Sequence, residues 1–456
     1  MPHTLHVTTH EGAVGRLDFD ARQSLYRFAY DGTWTARRNA FPLSPHIPLS
    51  GEEPAGGAVH RFIANLLPEG RALDVASVVY QVSKDNTYGL IRMLGKEPVG
   101  ALSFLATDEA GQPVEVEHVR PNDPPPARRE ISLDELSQRI RERDAIPFPV
   151  WDGKVRLSVA GYQDKLQVLL EGERIALADG PLSSTHILKP ESRSPVTPCM
   201  VANEHYCMTL ASRMGLQAAP VAIRRIPEPI LLIQRFDRSV VLDASDGQSV
   251  EAVQRRHVID GCQALDLPVS FKYERNFGNT LDVRNIREGV SFEKLFSLQR
   301  HLDNPAAART FMIRWALFQL LIGNSDAHGK NLSFFVHGGG LDPAPMYDLV
   351  SVNAYGEQVE QDMAMGYGDA FRLEEITPFA LADFAQRTGT APRFLAREMT
   401  RLAQAAKALA PGLASSDLYI GDERALVQTV SAFIGAQADR LLQFAPMVPQ
   451  IDRKLL

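Results

Sequence analysis

Hydrophobic and polar residues follow different periods in the two halves of the chain. Short apolar runs with strand-like spacing, such as LYRFAY (25–30), occur in the first part, together with a predicted helical stretch at residues 60–73. Strand-like runs continue from about 150 to 240. The spacing becomes mainly helical from about residue 290, for example at 395–409 and 423–444. Strands followed by helices predict an α+β chain.

A proline cluster divides this pattern. The segment PNDPPPARRE (121–130) favours a connector in polyproline-like conformation. Ser132 and Glu135 then form an S-x-x-E capping box that predicts the start of a helix. We therefore predict an N-terminal subdomain, a connector, the strand-rich rest of an N-terminal lobe and a helical C-terminal lobe, with the bounds 1–120, 121–130, 131–240 and 241–456.

Composition limits the classes of protein to consider. A chain of 456 residues exceeds what one core usually organises, so two lobes are expected. The net charge of −7 argues against strong binding to nucleic acid without a basic partner. The first residues lack a signal-peptide pattern and no apolar run reaches the ~18 residues of a membrane-spanning helix, so we expect a cytoplasmic protein. Three cysteines without C-x-x-C spacing indicate core thiols rather than disulfides or a zinc site.

The segment IGNSDAHGKNLSFF (322–335) concentrates polar chemistry between an apolar helical run at 311–321 and a strand-like segment. Asp326 and Asn331 have the D-x-x-x-x-N spacing of the kinase catalytic loop, which holds a base beside the substrate hydroxyl and an amide oxygen on a magnesium ion. Taken alone, the same residues also fit an ordinary polar turn.

A phosphoryl-transfer site needs a second, charged ligand for its metal. Asp348 follows the strand-like SFFVH and a GGG turn at 338–340, as if on the returning arm of a hairpin. That arrangement would bring Asp348 back towards Asn331, as the D-F-G aspartate returns in kinases. Asn331 and Asp348 are therefore the predicted metal ligands.

A cation for the phosphates, braced by a helix glutamate, is the third requirement. Lys189 ends a short β-type run in STHILKPES, and Glu204 lies in the first turn of a helix predicted at 203–216. A surface lysine and a glutamate that stabilises a helix dipole are the alternative interpretations. The order Lys189, Glu204, Asp326 to Asn331 and Asp348 along the chain favours a kinase.

Six motifs follow one another as in the HipA family of serine/threonine kinase toxins, which the chain resembles: VRLSVAGYQDKLQVLL (155–170), HILKP, NEHYC, QRFDR (234–238), SDAHGKN and MYDLVS. GRLDF (15–19), NLLPEGR and VGALSF extend the resemblance over nearly the whole chain. The resemblance implies a two-lobed protein-kinase-like fold, ATP and Mg²⁺ as cofactors, and a small helix-turn-helix antitoxin, HipB, as partner. Known members phosphorylate a serine of an aminoacyl-tRNA synthetase, typically the glutamyl enzyme.

The loop VRLSVAGYQDK is the candidate phosphate cradle. It is not a Walker A motif and has one glycine of the kinase glycine-rich loop, so the amides would come from Val159, Ala160, Gly161, Tyr162 and Gln163. In the family, the serine that matches Ser158 is autophosphorylated, and a dianionic group there would repel nucleotide. A β-turn capped by the serine is the alternative.

The remaining candidate residues rest on the resemblance. Gln234 stands where members often have glutamate, beside Phe236 in the segment that links the lobes and reads adenine through backbone groups; Tyr347 is a further expected nucleotide contact. His328 is expected to brace the catalytic loop rather than transfer a proton, and Lys330 to offset γ-phosphate charge.

Two other classes of function stay open from the sequence. A small-molecule kinase of the aminoglycoside type shares the D-x-H-x-x-N loop, but it is not expected to share GRLDF and NLLPEGR. A non-catalytic co-repressor bound to a DNA-binding partner would not need intact polar catalytic positions. Whether the protein is a toxin or a co-repressor, we expect it to contact DNA only through the antitoxin.

Overall fold

The computed structural model describes residues 3–107, 113–114, 128–156, 163–179, 182–245, 247 and 249–456. The chain forms two compact units, each assembled from three stretches of sequence. The first unit comprises Met1–Pro190, Arg224–Ile259 and Phe335–Gly340, and the second comprises Glu191–Ile223, Asp260–Phe334 and Leu341–Leu456. The units therefore interleave along the sequence, whereas the predicted lobes are contiguous ranges.

Strands predominate in the first unit and helices in the second, which agrees with the predicted mixture of both. The helices are α1 (Gly32–Thr35), α2 (Ala58–Ala64), α3 (Gly70–Tyr80), α4 (Thr87–Leu94), α5 (Leu133–Arg141), α6 (Met200–Arg213), α7 (Gly261–Ala264), α8 (Phe292–Ser297), α9 (Pro305–Ile322), α10 (Pro378–Arg387), α11 (Pro392–Ala414) and α12 (Asp422–Phe444). No helix in the described ranges is both long enough and apolar enough to cross a bilayer.

The strands are β1 (His3–Thr9), β2 (Gly12–Asp20), β3 (Leu25–Tyr30), β4 (Ser103–Thr107), β5 (Pro113–Val114), β6 (Arg128–Ile131), β7 (Val150–Trp151), β8 (Lys154–Val155), β9 (Leu166–Glu171), β10 (Arg174–Ala178), β11 (His186–Pro190), β12 (Val221–Arg225), β13 (Pro229–Gln234), β14 (Arg238–Leu242), β15 (Val250–Arg255), β16 (Val258–Asp260), β17 (Ser333–His337) and β18 (Gly340–Pro343).

Two antiparallel sheets organise the first unit. One has the strand order β3-β2-β1-β4-β5, with Leu5 opposite Leu17 at its centre. In the other, β13, β11, β9, β10 and β6 are successive neighbours. Its core combines Leu166 and Val168 of β9 with Ile175 and Leu177 of β10, all fully buried. This second sheet fixes the position of Lys189, which pairs with Leu231 across β11 and β13.

Two predictions about this unit need correction. The helix predicted at 60–73 is two helices, α2 and α3, and Pro68 lies in the break between them. Proline lacks the amide hydrogen and pushes the preceding residue away from helical geometry, which explains the interruption. The predicted connector at 121–130 also runs too far, because Arg128 already begins β6; residues 121–127 lie outside the described ranges.

Local signals for the other helices are confirmed. Ser132 caps α5 by accepting the amide hydrogen bond of Glu135. The long helices α11 and α12 contain the predicted segments 395–409 and 423–444. The three cysteines are free thiols, with Cys207 and Cys262 buried.

A buried cluster of charges in the first unit explains the QRFDR motif. The guanidinium groups of Arg235 and Arg238 lie 2.9 and 2.6 Å from Oδ2 of Asp237, which also accepts the amide hydrogen bond of Gly100. Glu97 is 3.4 Å from both arginines. Burial alone would raise the pKa of Asp237, but the two arginine charges hold it well below its ordinary range. The motif therefore connects the N-terminal segment, through Glu97 and Gly100, to the chain between β13 and β14.

Asp237→Ala should lower the free energy of unfolding by roughly 3–5 kcal/mol, because it leaves two buried guanidinium groups without their main counter-charge. Urea denaturation of the variant and the wild-type chain measures this difference. Arg16→Ala, which breaks the exposed Arg16–Asp18 pair, is the matched control and should cost no more than roughly 1 kcal/mol. Equal losses in both variants would contradict a stabilising role for the cluster.

Candidate active site

The end of α9 places the candidate catalytic loop in the second unit. Residues 315–322 of this helix are all buried, as expected for a helix that is apolar all round. Asn304 caps its start, and Gly323, with φ of 61°, ends it in the left-handed conformation that suits glycine. From Gly323 to Asn331 every residue is buried except Asp326, which is exposed. The loop therefore presents one carboxylate to solvent.

The side chain of Asn331 connects two parts of the site. Its Oδ1 accepts a hydrogen bond of 3.1 Å from the amide of His328, within the same loop. Its Nδ2 donates one of 3.0 Å to Oδ2 of Asp348, which follows the β17–β18 hairpin. The return of Asp348 towards Asn331 is therefore as predicted.

Asp348 has an unusual backbone conformation. Its φ of 57° lies in the left-handed region that non-glycine residues seldom occupy, and such conformations cluster at functional sites. Asp348 offers a carboxylate, and Asn331, whose Nδ2 donates to that carboxylate, offers Oδ1 beside the amide of His328. Carboxylate and amide oxygens are the donor chemistry that Mg²⁺ prefers. The residues present therefore fit a magnesium ion.

His328 is buried in the loop, and its bracing role stays a prediction, because Nδ1 of its ring has no hydrogen-bond partner among the described residues. Its amide donates to the carbonyl of Asp326 as well as to Asn331, and its ring meets that of Tyr273 edge-on at 5.0 Å. Burial, with the nearby charge of Lys272, holds the pKa of His328 well below its ordinary value. The ring is therefore neutral at physiological pH.

Lys330 makes a contact that the sequence did not indicate. Its buried Nζ lies 2.6 Å from Oδ2 of Asp260, the residue that caps α7. The carbonyl of Lys330 accepts a hydrogen bond from the hydroxyl of Tyr347, which also contacts Ser333. The ammonium group therefore has a counter-charge within the protein, and an additional role towards phosphate stays a prediction.

Glu204 lies on α6 of the second unit, but not in its first turn as predicted. The helix begins at Met200, so Glu204 is its fifth residue, and it is buried. The carboxylate of Glu191 accepts the amide hydrogen bond of Met200, which allows the helix to start before the polar Asn203. A cap supplied from nine residues away has no signature in the helix sequence itself.

The nucleotide-binding candidates of the first unit lie on its second sheet. Lys189 is buried on β11, and Gln234 ends β13 as an exposed residue opposite His186. Phe236 is half-buried and packs edge-on against Phe335. Gln163 is described just before β9, whereas the other loop candidates, Ser158, Val159, Ala160, Gly161 and Tyr162, lie outside the described residues.

Comparison with known proteins decides the family. The HipA N-terminal domain model matches residues 5–105, and the HipA-like C-terminal domain model matches residues 157–410. The chain belongs to the HipA family. It is 39% identical over 453 residues to the serine/threonine-protein kinase toxin HipA of Shewanella oneidensis, covering 98% of this chain and 99% of that protein. A putative kinase of Sinorhizobium fredii, Y4mE, is 35% identical over 405 residues, covering 87% and 89% of the two chains.

A solved structure agrees with this assignment. HipA in the Shewanella oneidensis complex of HipA, HipB and operator DNA matches with a TM-score of 0.85 and 39% identity, over 98% of this chain and 100% of that one. The protein is thus a serine/threonine-protein kinase of the HipA family, an enzyme class that uses a nucleotide and a metal ion.

The sequence did not indicate three residues that lie near the HipA-family loop. Tyr273 donates a hydrogen bond of 2.6 Å to Oδ1 of Asp326, and the carbonyl of Lys272 accepts one from the amide of Gly329. Asp260 is the partner of Lys330. A KY pair 53 residues before the aspartate carries no motif, so only the folded chain reveals these contacts.

Because its folded-state pKa is lowered, His328 should make stability fall as the pH decreases. Below the unfolded value of about 6.5, unfolding takes up a proton that the buried ring does not bind. Between pH 7.5 and 5.5, wild-type protein should lose about 1 kcal/mol more unfolding free energy than His328→Gln. Urea denaturation at both pH values measures the difference, since the other histidines are the same in both proteins. Equal losses in the two proteins would mean that His328 binds its proton equally well in the folded and unfolded states.

Proposed function

We propose that this protein is the toxin of a HipBA-type toxin–antitoxin pair, an ATP- and Mg²⁺-dependent kinase that phosphorylates a translation component. The observation that carries the catalytic part is the Asn331–Asp348 contact of 3.0 Å on the loop that exposes Asp326. The expected substrate is a serine of an aminoacyl-tRNA synthetase, the glutamyl enzyme by analogy with the family.

Asp326 acts as the base that orients and deprotonates the substrate hydroxyl. The hydroxyl oxygen forms a bond to the γ-phosphorus of ATP while the bond from that phosphorus to the β–γ bridging oxygen breaks, which releases ADP. The hydroxyl proton goes to the carboxylate of Asp326. The exposure of Asp326 in an otherwise buried loop supports this role, because a protein substrate must reach the carboxylate.

Asn331 and Asp348 would hold the metal ion, which neutralises charge on the phosphates when it is bound. Asn331 would supply Oδ1 as a metal ligand, and Asp348 would supply a carboxylate with its negative charge. The hydrogen bond from the amide of His328 keeps Oδ1 oriented, and the left-handed backbone fixes the direction of the Asp348 side chain. His328 stays neutral and takes no part in proton transfer.

Lys189 is the proposed cation for the phosphates, and Glu204 is the proposed helix glutamate, of a two-lobed, protein-kinase-like arrangement. The burial of both charged side chains supports these roles, since buried charges are rarely present without a functional or structural partner. The amides from Val159 to Gln163 cradle the phosphates, while Gln234, Phe236 and Tyr347 border the nucleotide. Lys330 adds positive charge near the γ-phosphate.

The proposed partner is a small HipB-like helix-turn-helix antitoxin. The similar HipA was solved with HipB and operator DNA, which supports the same kind of assembly here. The net charge of −7 supports DNA contact through the antitoxin rather than through this chain alone.

Two acid-to-amide variants separate the base from the metal ligand. Asp326→Asn should reduce phosphoryl transfer roughly 10²–10⁴-fold and leave nucleotide affinity unchanged, because it removes only the base. Asp348→Asn should also weaken Mg²⁺-dependent nucleotide binding by roughly tenfold, about 1.4 kcal/mol, because it removes charge from the metal site. Asp417→Asn, at a fully exposed position, is the matched control and should change neither quantity. Isothermal titration and a γ-phosphate transfer assay measure both.

Normal transfer by Asp326→Asn would remove this residue from the mechanism. Unchanged nucleotide affinity in Asp348→Asn would place the metal site elsewhere.

The substrate class is tested by offering labelled ATP with glutamyl-tRNA synthetase, and separately with an aminoglycoside. Label on a serine of the synthetase supports the proposal, whereas label only on the aminoglycoside would establish a small-molecule kinase instead.

Autophosphorylation of Ser158 is the proposed control of the enzyme. A phosphoserine carries about −1.5 to −2 charges at neutral pH, so it should prevent ATP from binding at the phosphate loop. Peptide mass spectrometry after incubation with Mg·ATP should locate phosphate on Ser158, and the modified form should lose ATP affinity. Ser158→Ala should bind ATP without acquiring this block. A Ser158-phosphorylated form that binds ATP normally would refute the proposed control.

A further inference from the structure

Tyr273 contacts the carboxylate that the proposed mechanism uses as its base. Its hydroxyl donates to Oδ1 of Asp326 at 2.6 Å. The tyrosine is half-buried whereas Asp326 is exposed, so the hydrogen bond joins a supported side chain to an exposed one. The ring of Tyr273 also meets the buried His328 edge-on, with the ring planes at 88°.

The backbone on both sides of Tyr273 is fixed to the active-site region. On one side, the carbonyl of Lys272 accepts the amide hydrogen bond of Gly329 in the catalytic loop, at 2.9 Å. On the other, the amide of Glu274 donates to Ala364, whose own amide donates to Ser325, the residue before Asp326. Three chain segments thus share one hydrogen-bonded frame.

The side chain of Glu274 anchors the same frame. It is buried, and its Oε2 accepts a 2.7 Å hydrogen bond from the amide of Gly366 while its Oε1 accepts one of 2.6 Å from Arg287. Arg287 in turn donates to Asp369. A tyrosine between two such anchored residues has little freedom to move away from Asp326.

An exposed aspartate without such a contact would exchange between staggered rotamers. A hydroxyl donor to its charged carboxylate favours one rotamer, and hydrogen bonds to charged acceptors are stronger than those between neutral groups. Orientation of this kind matters for catalysis because reacting groups that are misplaced by about 1 Å can lose roughly 10²-fold in rate.

We propose that Tyr273 is a positioning residue for phosphoryl transfer, which holds the carboxylate of Asp326 in the orientation that accepts the substrate proton. The proposal rests on the proposed role of Asp326 as base. Tyr273 itself does not contact the reacting atoms, so its effect falls on turnover and not on nucleotide binding.

Tyr273→Phe tests this by removing the hydroxyl while keeping the ring that packs on His328. We expect kcat to fall about tenfold, less than the roughly 10²–10⁴-fold loss of a general base, with unchanged nucleotide affinity. The loss of a donor to the charged carboxylate should also move the acidic limb of the pH–rate profile to higher pH. Tyr206→Phe, which removes the hydroxyl that donates to Ala410 elsewhere in the second unit, is the matched control and should leave both unchanged.

A second readout does not depend on activity. In protein labelled with ¹³C at the aspartate carboxyl groups, the Asp326 signal, assigned by its absence in Asp326→Asn, should titrate at higher pH in Tyr273→Phe than in wild type. A thermal melt confirms that the variant is folded.

The outcomes separate this inference from the proposed function. If Asp326→Asn is inactive while Tyr273→Phe keeps the wild-type rate, pH profile and carboxyl titration, the positioning role is wrong and the base assignment stands. A faster Tyr273→Phe would mean that the hydroxyl obstructs the substrate, which also overturns the proposal. If Asp326→Asn retains full activity, the base assignment fails, and the carboxyl titration alone still reports whether Tyr273 holds Asp326.

Discussion

The side-chain amide of Asn331 is the contact on which the geometry of the candidate active site depends. It joins the backbone of the catalytic loop, through His328, to Asp348, which is 17 residues further along the chain. Asn324 of the same loop adds a second link, because its Nδ2 donates a hydrogen bond of 3.3 Å to the backbone carbonyl of Asp348. The Asn331 side chain contacts the carboxylate of Asp348 itself, so it sets the distance between two residue types that a kinase needs for a metal ion.

The rest of the loop is packed so that this contact holds. Gly261 comes so close to the carbonyl of Gly329 that an added Cβ would lie 2.6 Å from it, and its amide donates to Leu332. The buried ion pair between Lys330 and Asp260, the N-cap of α7, also holds this part of the loop in place. These contacts leave Asp326 as the exposed residue of the loop, and Tyr273 then holds its carboxylate. Rigid support beneath an exposed carboxylate is what preorganised catalysis requires.

Sequence patterns predicted the parts of this arrangement that depend on nearby residues. The apolar run of α9, the turn after β17 and the return of Asp348 all follow from periodicity and from glycine positions within about thirty residues of chain. The family resemblance, confirmed over nearly the whole chain, rested on such motifs.

Contacts between distant segments could not be predicted in this way. Tyr273 is 53 residues from Asp326, and Asp260 is 70 residues from Lys330. Neither pair has a spacing that helical or strand geometry would impose. The early start of α6 depends on a cap from Glu191, which lies outside the helix. The buried charge cluster of the QRFDR motif could not be predicted either, because Glu97 and Gly100 come from a remote part of the chain.

We propose that Asn331 and Asp348 hold the metal ion of this kinase and that Asp326, on the same loop as Asn331, supplies the base. Anomalous diffraction from crystals grown with Mn²⁺ and a non-hydrolysable ATP analogue tests it most directly, because manganese replaces magnesium and its position is read from its own scattering. We expect a manganese peak within coordination distance of Asp348 Oδ and Asn331 Oδ1. Manganese bound with the nucleotide but away from both side chains would contradict it.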